Sequence, residues 1–268
     1  MLNEELAGNK ISKISGMLNG TSNFILSQME DGADFDHTLK FAQEKGYAEP
    51  DPSFDIEGMD AAHKIGILSS IAIGTSLPPN DFYIEGIKDI DSTDFKYASK
   101  LGFSIKHLAV ASLTENEVQL RAHPVLVSSD SYLAGLRGVR NGIEVETDLI
   151  GTLHVAGSGA GQESTASGLI SDLVYLSNVR SNSSINLKKR ININIQPIDE
   201  MEFKYFFKIK TLSKDFDLNK IEKIFQKNQV SISAENFDDF YIVIISESFI
   251  ENKKDSIMIS LNNLSEVD

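Results

Sequence analysis

The chain has 268 residues, no cysteine and a formal net charge of −14. Disulfides, thiol catalysis and thiolate metal sites are excluded, and nucleic acid or an anionic membrane is disfavoured as a partner because both call for clustered Lys and Arg. With 41% hydrophobic residues and no apolar run near the roughly 20 residues that span a bilayer, the expectation is a cytoplasmic globular protein, one larger domain plus a smaller one, acting on a small polar substrate.

The N-terminus MLNEELAGNK lacks a basic start followed by an apolar stretch and is not read as a secretion signal. KISKISGML alternates polar and apolar residues as a half-buried strand does, and NGTSN turns it into the amphipathic FILSQMEDG. DFDHTLKFAQEKG places Phe35, Leu39 and Ala42 on one helical face and stops at Gly46, suited to the left-handed position after a helix. Pro50 and Pro52 forbid regular structure between them, so Glu49 to Glu57 is expected to form an ordered loop leading into a helix from Asp60 to about Ile73.

After Pro78 and Pro79, the segments SIKHLAVASLT, EVQLRAHPVLV, GIEVETDLI and GTLHVAG read as strands around a short helix-like SYLAGLRG. GSGAGQESTASGLISDLVYLSNV is a glycine turn opening a helix, with Ser164 suited to an N-cap, and the Ser- and Asn-rich RSNSSINLKKR reads as a linker. Beyond it come a strand (KYFFKIK), a helix (LNKIEKIFQKNQ), two strands (SISAENF, DFYIVIISE) and a weaker amphipathic segment (DSIMISLNNL). The predicted fold class is α+β: a mixed, mostly antiparallel sheet covered by helices over 1–180, a linker over 181–190, and a small ferredoxin-like α+β domain over 191–268.

The chemistry concentrates in GYAEPDPSFDIEGMDAAHKIGIL, where Glu49, Asp51, Asp55, Glu57 and Asp60 precede the single Lys64. Asp60 and Lys64 stand four residues apart, acid first, and so share a helical face. On an exposed helix this is a surface ion pair worth a few tenths of a kcal/mol, about 0.3–0.5. Lys64, however, is flanked by Ala61, Ala62, Ile65, Ile67, Leu68 and Ile71, which predicts a buried helix on which an ammonium is costly unless paired or functional. A lysine held among carboxylates can trade a proton with a substrate. A metal reading of the same acids lacks the residue order of a calcium loop and has a lysine on the same face. A glycosidase-like acid pair is conceivable, but sequence does not fix the separation between the carboxyl groups. The five histidines, His37, His63, His107, His123 and His154, are scattered without zinc-site spacing, so no metal is expected. GSGAG is spaced G-x-G-x-G rather than G-x-G-x-x-G and is not a dinucleotide fingerprint.

GMLNGTSNFIL at 16–26, GYAEPDPSFDIEGMDAAHK at 46–64 and GSGAGQESTAS at 157–167, in that order, resemble the successive signatures of the homoserine dehydrogenase family. The resemblance covers about residues 2–180. It implies NAD- or NADP-dependent interconversion of L-aspartate 4-semialdehyde and L-homoserine, on the route to threonine, methionine and isoleucine. Lys64 matches the family's catalytic lysine and Asp60 the acid one turn before it. Glu49 matches the substrate-binding glutamate and Asp55 a further site aspartate, while Gly20, Thr21 and Tyr47 match positions lining the same pocket. Thr21 as a plain N-cap and Tyr47 as a packing residue are the competing readings; Asp51 and Glu57 are left out of the site. Gly159, Ala160 and Gly161 match positions beside the cofactor. The family's N-terminal Rossmann domain, which carries the principal cofactor site and a second lysine, is not in this sequence, so the chain alone is expected to be inactive and a separate Rossmann-domain chain is one implied partner. Residues 191–268 resemble, loosely, an ACT-type regulatory domain, and the strands between Ser104 and Ala156, apolar in both registers, are expected to form a homodimer interface. The competing function is a non-enzymatic amino-acid-binding or regulatory module.

Overall fold

A computed structural model describes residues 2, 5–77, 82–159, 161–178, 193–212, 216–238 and 241–264. Pro78, Pro79, Ala160 and the expected linker at 181–190 lie outside these residues. The chain divides into two units, Met1–Ile195 and Gln196–Asp268.

The first unit runs β1 (Ile11–Met17), α1 (Gly20–Glu30), α2 (Phe35–Glu44), α3 (Ser53–Ile56), α4 (Met59–Ile73), β2 (Tyr83–Ile84), α5 (Ser92–Lys100), β3 (Phe103–Leu113), β4 (Glu117–Ser128), β5 (Arg140–Thr147), β6 (Thr152–Ser158), α6 (Gln162–Asn178) and β7 (Asn194–Ile195). Its sheet has the order β2-β4-β3-β1-β5-β6, with β7 beside β4. The pairs β1–β3, β1–β5, β3–β4 and β5–β6 are antiparallel, and only the short β2 and β7 lie parallel, both to β4. The expected mixed, mostly antiparallel sheet flanked by helices is what the chain forms.

Alternation along the strands sets the core. Ile14, Ala109, Ala111, Leu120, Ala122 and Val145 point to one face, where Ala61, Ala62 and Ile65 of α4 cover them. The small side chains of β3 and α4 let helix and sheet approach closely, and each fully buried Ile contributes about 1.5–3 kcal/mol. On the opposite face, Leu108 and Val110 of β3 pack with Met17, Leu133 and Leu136. Both registers of β3 are therefore covered within one chain, the second by residues 131–136. That segment was expected to be helix-like but forms turns, with Gly135 N–H donating to Tyr132 O and Leu136 N–H to Leu133 O. It is tied down by Arg137, whose guanidinium binds Glu30, Asp31 and the Ser27 carbonyl at the C-terminal end of α1, where a cation meets the negative helix end. Lys106 is fully buried on the same face and donates to Leu136 O at 3.1 Å.

α2 ends as its sequence predicts. Gly46 N–H donates to Gln43 O and Tyr47 N–H to Ala42 O, the paired bonds of a Schellman turn. The loop expected over Glu49–Glu57 contains instead the one-turn helix α3, started by Asp51 Oδ1, which accepts from Ser53 N–H and Oγ–H. Gly58 then turns the chain into α4 with φ +88, a left-handed conformation favouring glycine, and a Cβ there would lie 2.9 Å from His107 Nε2. His107 is buried, its Nε2 2.9 Å from Glu85 O, and its Nδ1 has no hydrogen-bond partner among the described residues. Burial pushes this imidazole below the ordinary histidine range. A second proton would place a charge and an unpaired N–H in the core. The unfolded chain therefore takes up the proton more readily, and His107 contributes stability that is complete above about pH 6.5 and is lost as pH falls below it. Denaturant unfolding between pH 5 and 8 is expected to show a drop toward acid that His107→Gln reduces; an identical pH slope in the variant would remove His107 as its source.

The second unit contains a short 3-10 turn (Ile198–Glu200), β8 (Glu202–Phe203), β9 (Phe206–Lys210), α7 (Leu218–Lys227), β10 (Ile232–Asp238), β11 (Tyr241–Ser246), β12 (Phe249–Ile250) and α8 (Asn252–Asn262). β11 pairs antiparallel with both β9 and β10, a split β-α-β, and Phe207, Ile209, Ile221, Phe225, Ile242, Ile244 and Ile257 form its core. The strand, helix, strand, strand, helix order read from the sequence is present.

Candidate active site

The site forms where β1 ends, α1 begins and α4 passes beneath both. Asn19 is the N-cap of α1: its Oδ1 accepts from Ser22 N–H at 2.8 Å. Its Nδ2 donates to Asp55 Oδ1 and to Asp60 Oδ2, both at 2.8 Å. Asp60 Oδ2 also accepts from Lys64 Nζ at 2.7 Å, and Lys64 Nζ donates in addition to Leu18 O at 2.9 Å. Two carboxylates, one ammonium and one carboxamide thus form a continuous chain of charge-assisted bonds. Ser22 Oγ–H donates to Asp55 O and holds α3 against α1.

Lys64 is not buried as its apolar neighbours suggest. Its side chain is 44% exposed and that of Asp60 20%. α4 buries the stripe Ala61, Ala62, Ile65, Gly66 and Ser69 and presents Lys64 and Ile67 outward, so the apolar residues around Lys64 divide between a core face and the wall of an open cleft. The cleft, of about 410 Å³, is lined by Leu18, Lys64, Ile67, Leu68, Asn141, Gly142, Ile143, Val155, Ala156, Gly157, Ser158 and Gly159. Apart from Lys64, Asn141 and Ser158, its walls are aliphatic side chains and glycine. Asn141 donates from Nδ2 to Leu18 O at 3.3 Å, the carbonyl that also receives Lys64, and its buried Oδ1 has no partner among the described residues. A Cβ at Gly159 would stand 1.9 Å from Asn141 Nδ2, so a larger residue there would displace the Asn141 side chain from Leu18 O.

Of the other expected residues, Gly159 lines the cleft, and Gly20 and Thr21 follow Asn19 at the start of α1. Thr21 is not the cap of α1; it is buried, and its Oγ1–H donates to Tyr47 O at 2.6 Å, fixing the segment that carries Glu49 beside the helix start. Gly20 opens α1, where a Cβ would meet Val139 O at 3.2 Å. Tyr47 is exposed and meets Phe24 edge-on, with ring centroids 5.1 Å apart. Glu49 is exposed; its carbonyl accepts from Gln43 Nε2 and its carboxylate takes no part in the bonds among Asn19, Asp55, Asp60 and Lys64. Gly161, with φ +110, precedes α6 and is not among the walls of the cleft. Ser164 is the third residue of α6 rather than its cap, and its Oγ–H donates to Gly161 O.

Three participants escaped the sequence reading. Asn19 had a local signal, an Asn at a strand-to-helix junction, which predicts a cap but not the second use of its amide. The Leu18 carbonyl and Asn141 had none, because backbone acceptors are anonymous and Asn141 is brought in by strand pairing from 123 residues away. Among the described residues no group of His, Asp and Glu has the geometry to hold a metal ion.

Comparison with known proteins matches residues 1–174 to the profile of the homoserine dehydrogenase family. The chain is 39% identical over 242 residues to the homoserine dehydrogenase of Neisseria gonorrhoeae, across 87% of this chain and 56% of that protein. The crystal structure of a homoserine dehydrogenase from Thiobacillus denitrificans superposes on 100% of this chain and 64% of its own, with TM-score 0.91 and 34% identity. A hyperthermophilic archaeal homoserine dehydrogenase in complex with NADPH matches 66% of this chain and 50% of its own, with TM-score 0.55 and 30% identity. The chain thus spans somewhat more than half the length of such relatives.

Proposed function

Because the chain belongs to the homoserine dehydrogenase family, we propose that its first unit binds L-homoserine or L-aspartate 4-semialdehyde and moves the proton in their NAD(P)-dependent interconversion, the cofactor being held chiefly by a nucleotide-binding portion corresponding to the remaining length of the relatives. The observation that carries this reading is the double anchoring of Lys64. An ammonium has three N–H donors. Two are committed, to Asp60 Oδ2 and Leu18 O, and the third is left for one substrate oxygen. When the semialdehyde is reduced, Lys64 gives its third proton to the C4 oxygen as the carbonyl becomes an alcohol; when homoserine is oxidised, the neutral amine takes the hydroxyl proton. Partial exposure of the side chain lets the proton exchange with solvent between turnovers. Asp60 holds the ammonium in place, and Asp55 acts on it through Asn19.

The aliphatic cleft beside Lys64 suits the flat face of a nicotinamide, with Gly157 and Gly159 as the wall that admits close approach. Gly161 and Ala160, the latter outside the described residues, are proposed as further contacts of the same cofactor. The chemistry supplied by the bound cofactor is hydride transfer at C4. Substrate charge is met by the start of α1 and by Glu49. The amides of Gly20 and Thr21, at the positive end of the helix, receive the α-carboxylate, and the Glu49 carboxylate receives the α-ammonium. Glu49→Gln, in protein that includes the nucleotide-binding portion, is expected to raise KM for homoserine roughly tenfold to a hundredfold, the equivalent of a charge-assisted bond of about 1.5–3 kcal/mol, and to leave KM for the cofactor unchanged. A rise confined to the cofactor KM would overturn the assignment.

α6 supports the presence of a further partner. None of its residues is buried, although Leu169, Ile170, Leu173, Val174 and Leu176 are large and apolar. Exposed apolar side chains in such number mark an interaction surface, and the nucleotide-binding portion is proposed to cover it. A homodimer through the sheet is also part of this reading; Val125 and Val127, only partly buried on the face opposite the helices, are the apolar surface that supports it.

A further inference from the structure

Asn19 makes three hydrogen bonds of 2.8 Å and is 4% exposed. Each atom of its carboxamide has a distinct task. Oδ1 is held by the first turn of α1, so the amide cannot rotate without uncapping the helix. The two N–H groups of Nδ2 are thereby aimed in fixed directions, one at Asp55 and one at Asp60. Two carboxylates brought together repel each other, and of the two Lys64 pairs with Asp60. Asn19 supplies Asp55 with a donor without adding charge. Of the four carboxylate oxygens, Asp55 Oδ1 and Asp60 Oδ2 are engaged by Asn19 and Lys64. The other two have no partner among the described residues.

We infer that Asn19 is a positioning residue for the reaction proposed above: anchored to the start of α1, it fixes both aspartates relative to that helix, so that Asp60 presents Lys64 at one place and the remaining carboxylate oxygens are left to the substrate. This inference rests on the reading of Lys64 as the proton-transferring group. It adds a mechanical link between the amides at the start of α1 and the lysine on α4, since one side chain caps the first and orients the acid that holds the second.

Two substitutions separate this role from helix capping. Ser and Asp both serve as N-caps about as well as Asn; Asn19→Ser keeps the cap and deletes the bridge, and Asn19→Asp keeps shape and cap but replaces the donor by a third carboxylate. With the nucleotide-binding portion present, each is expected to lower kcat for homoserine oxidation roughly 10- to 100-fold, as misplacement of a reacting group does. Asn19→Asp is expected to suffer more, KM for the cofactor to be unchanged, and the melting temperature of Asn19→Ser to stay within about 3 °C of wild type. Lys64→Ala is measured alongside. Wild-type kcat in both Asn19 variants with an inactive Lys64→Ala overturns the role of Asn19 and leaves that of Lys64 standing; an active Lys64→Ala overturns the reaction reading itself. Loss of kcat in Asn19→Ser only in proportion to a large fall in melting temperature assigns Asn19 to capping and overturns the inference as well.

Discussion

Lys64→Ala, in protein that includes a nucleotide-binding portion, is expected to lower kcat for homoserine oxidation by on the order of a hundredfold or more, the scale of a positioned general acid or base, with a smaller change in KM. The size follows from geometry. Nζ sits 2.7 Å from Asp60 Oδ2 and 2.9 Å from Leu18 O, so the one proton left to donate has a fixed origin, and no other cationic side chain among the described residues lines the cleft. Alanine removes the proton carrier and leaves Asp60 with Asn19 as its sole partner. Because Lys64 is assigned to the C4 oxygen and not to the α-carboxylate or α-ammonium, most of its interaction is gained as the oxygen changes charge, which places the loss in kcat. Steady-state kinetics with homoserine and the oxidised cofactor measure this; unchanged turnover would remove Lys64 from the mechanism.

The second large effect concerns these 268 residues by themselves. They are expected to bind homoserine but not to bind a nicotinamide cofactor tightly or turn over. A dinucleotide site joins a glycine turn, a helix N-terminus facing the pyrophosphate and a residue at the ribose within one parallel β-α-β unit. Here β6, the strand that carries Gly157, pairs antiparallel with β5, and apart from Lys64, Asn141 and Ser158 the cleft walls are aliphatic side chains and glycine, a surface for a ring. Losing the remaining contacts is expected to weaken binding by several kcal/mol, about 4 kcal/mol being the difference between micromolar and millimolar affinity. Hydride transfer further requires the ring to be held about 3–3.5 Å from C4, which one wall does not enforce. Fluorescence titration with NADH and NADPH checks this. Saturable micromolar binding with homoserine-dependent turnover would show that the cofactor site lies within these residues.

Period and punctuation made most of the fold legible. Alternation in KISKISGML and SIKHLAVASLT gave β1 and β3, and Gly46 marked the end of α2 because a Schellman turn needs the left-handed residue there. Misreadings arose where tertiary structure decides. Pro50 and Pro52 argued against helix, yet α3 fits in one turn after Pro52 because Asp51 satisfies its first amide. SYLAGLRG has helical composition, but Arg137 and the packing of Leu133 and Leu136 on β3 hold it as turns. In the site, Asp60 and Lys64 were legible because a four-residue spacing encodes contact within one helix. Their partners came through long-range pairing: Asp55 joins by way of Asn19, 36 residues earlier, and Asn141 reaches Leu18 from β5. The exposure of Lys64 was misjudged for a related reason, since an apolar flank predicts burial without saying whether the cover is the same chain's core or the wall of a ligand cleft.

The chain is proposed to carry an amino-acid substrate site built on the start of α1, the 46–49 segment and the Asp55–Asp60–Lys64 cluster. The most direct test is to titrate L-homoserine into the isotopically labelled chain and follow its backbone amide resonances. Saturable shifts are expected at Gly20 and Thr21, at Tyr47 to Glu49, and at Asp55 and Asp60 to Lys64, and they are expected to be strongly weakened in Glu49→Gln. Shifts confined to Gln196–Asp268, or none at millimolar homoserine, would contradict the account and favour a regulatory module over the substrate-binding portion of an enzyme.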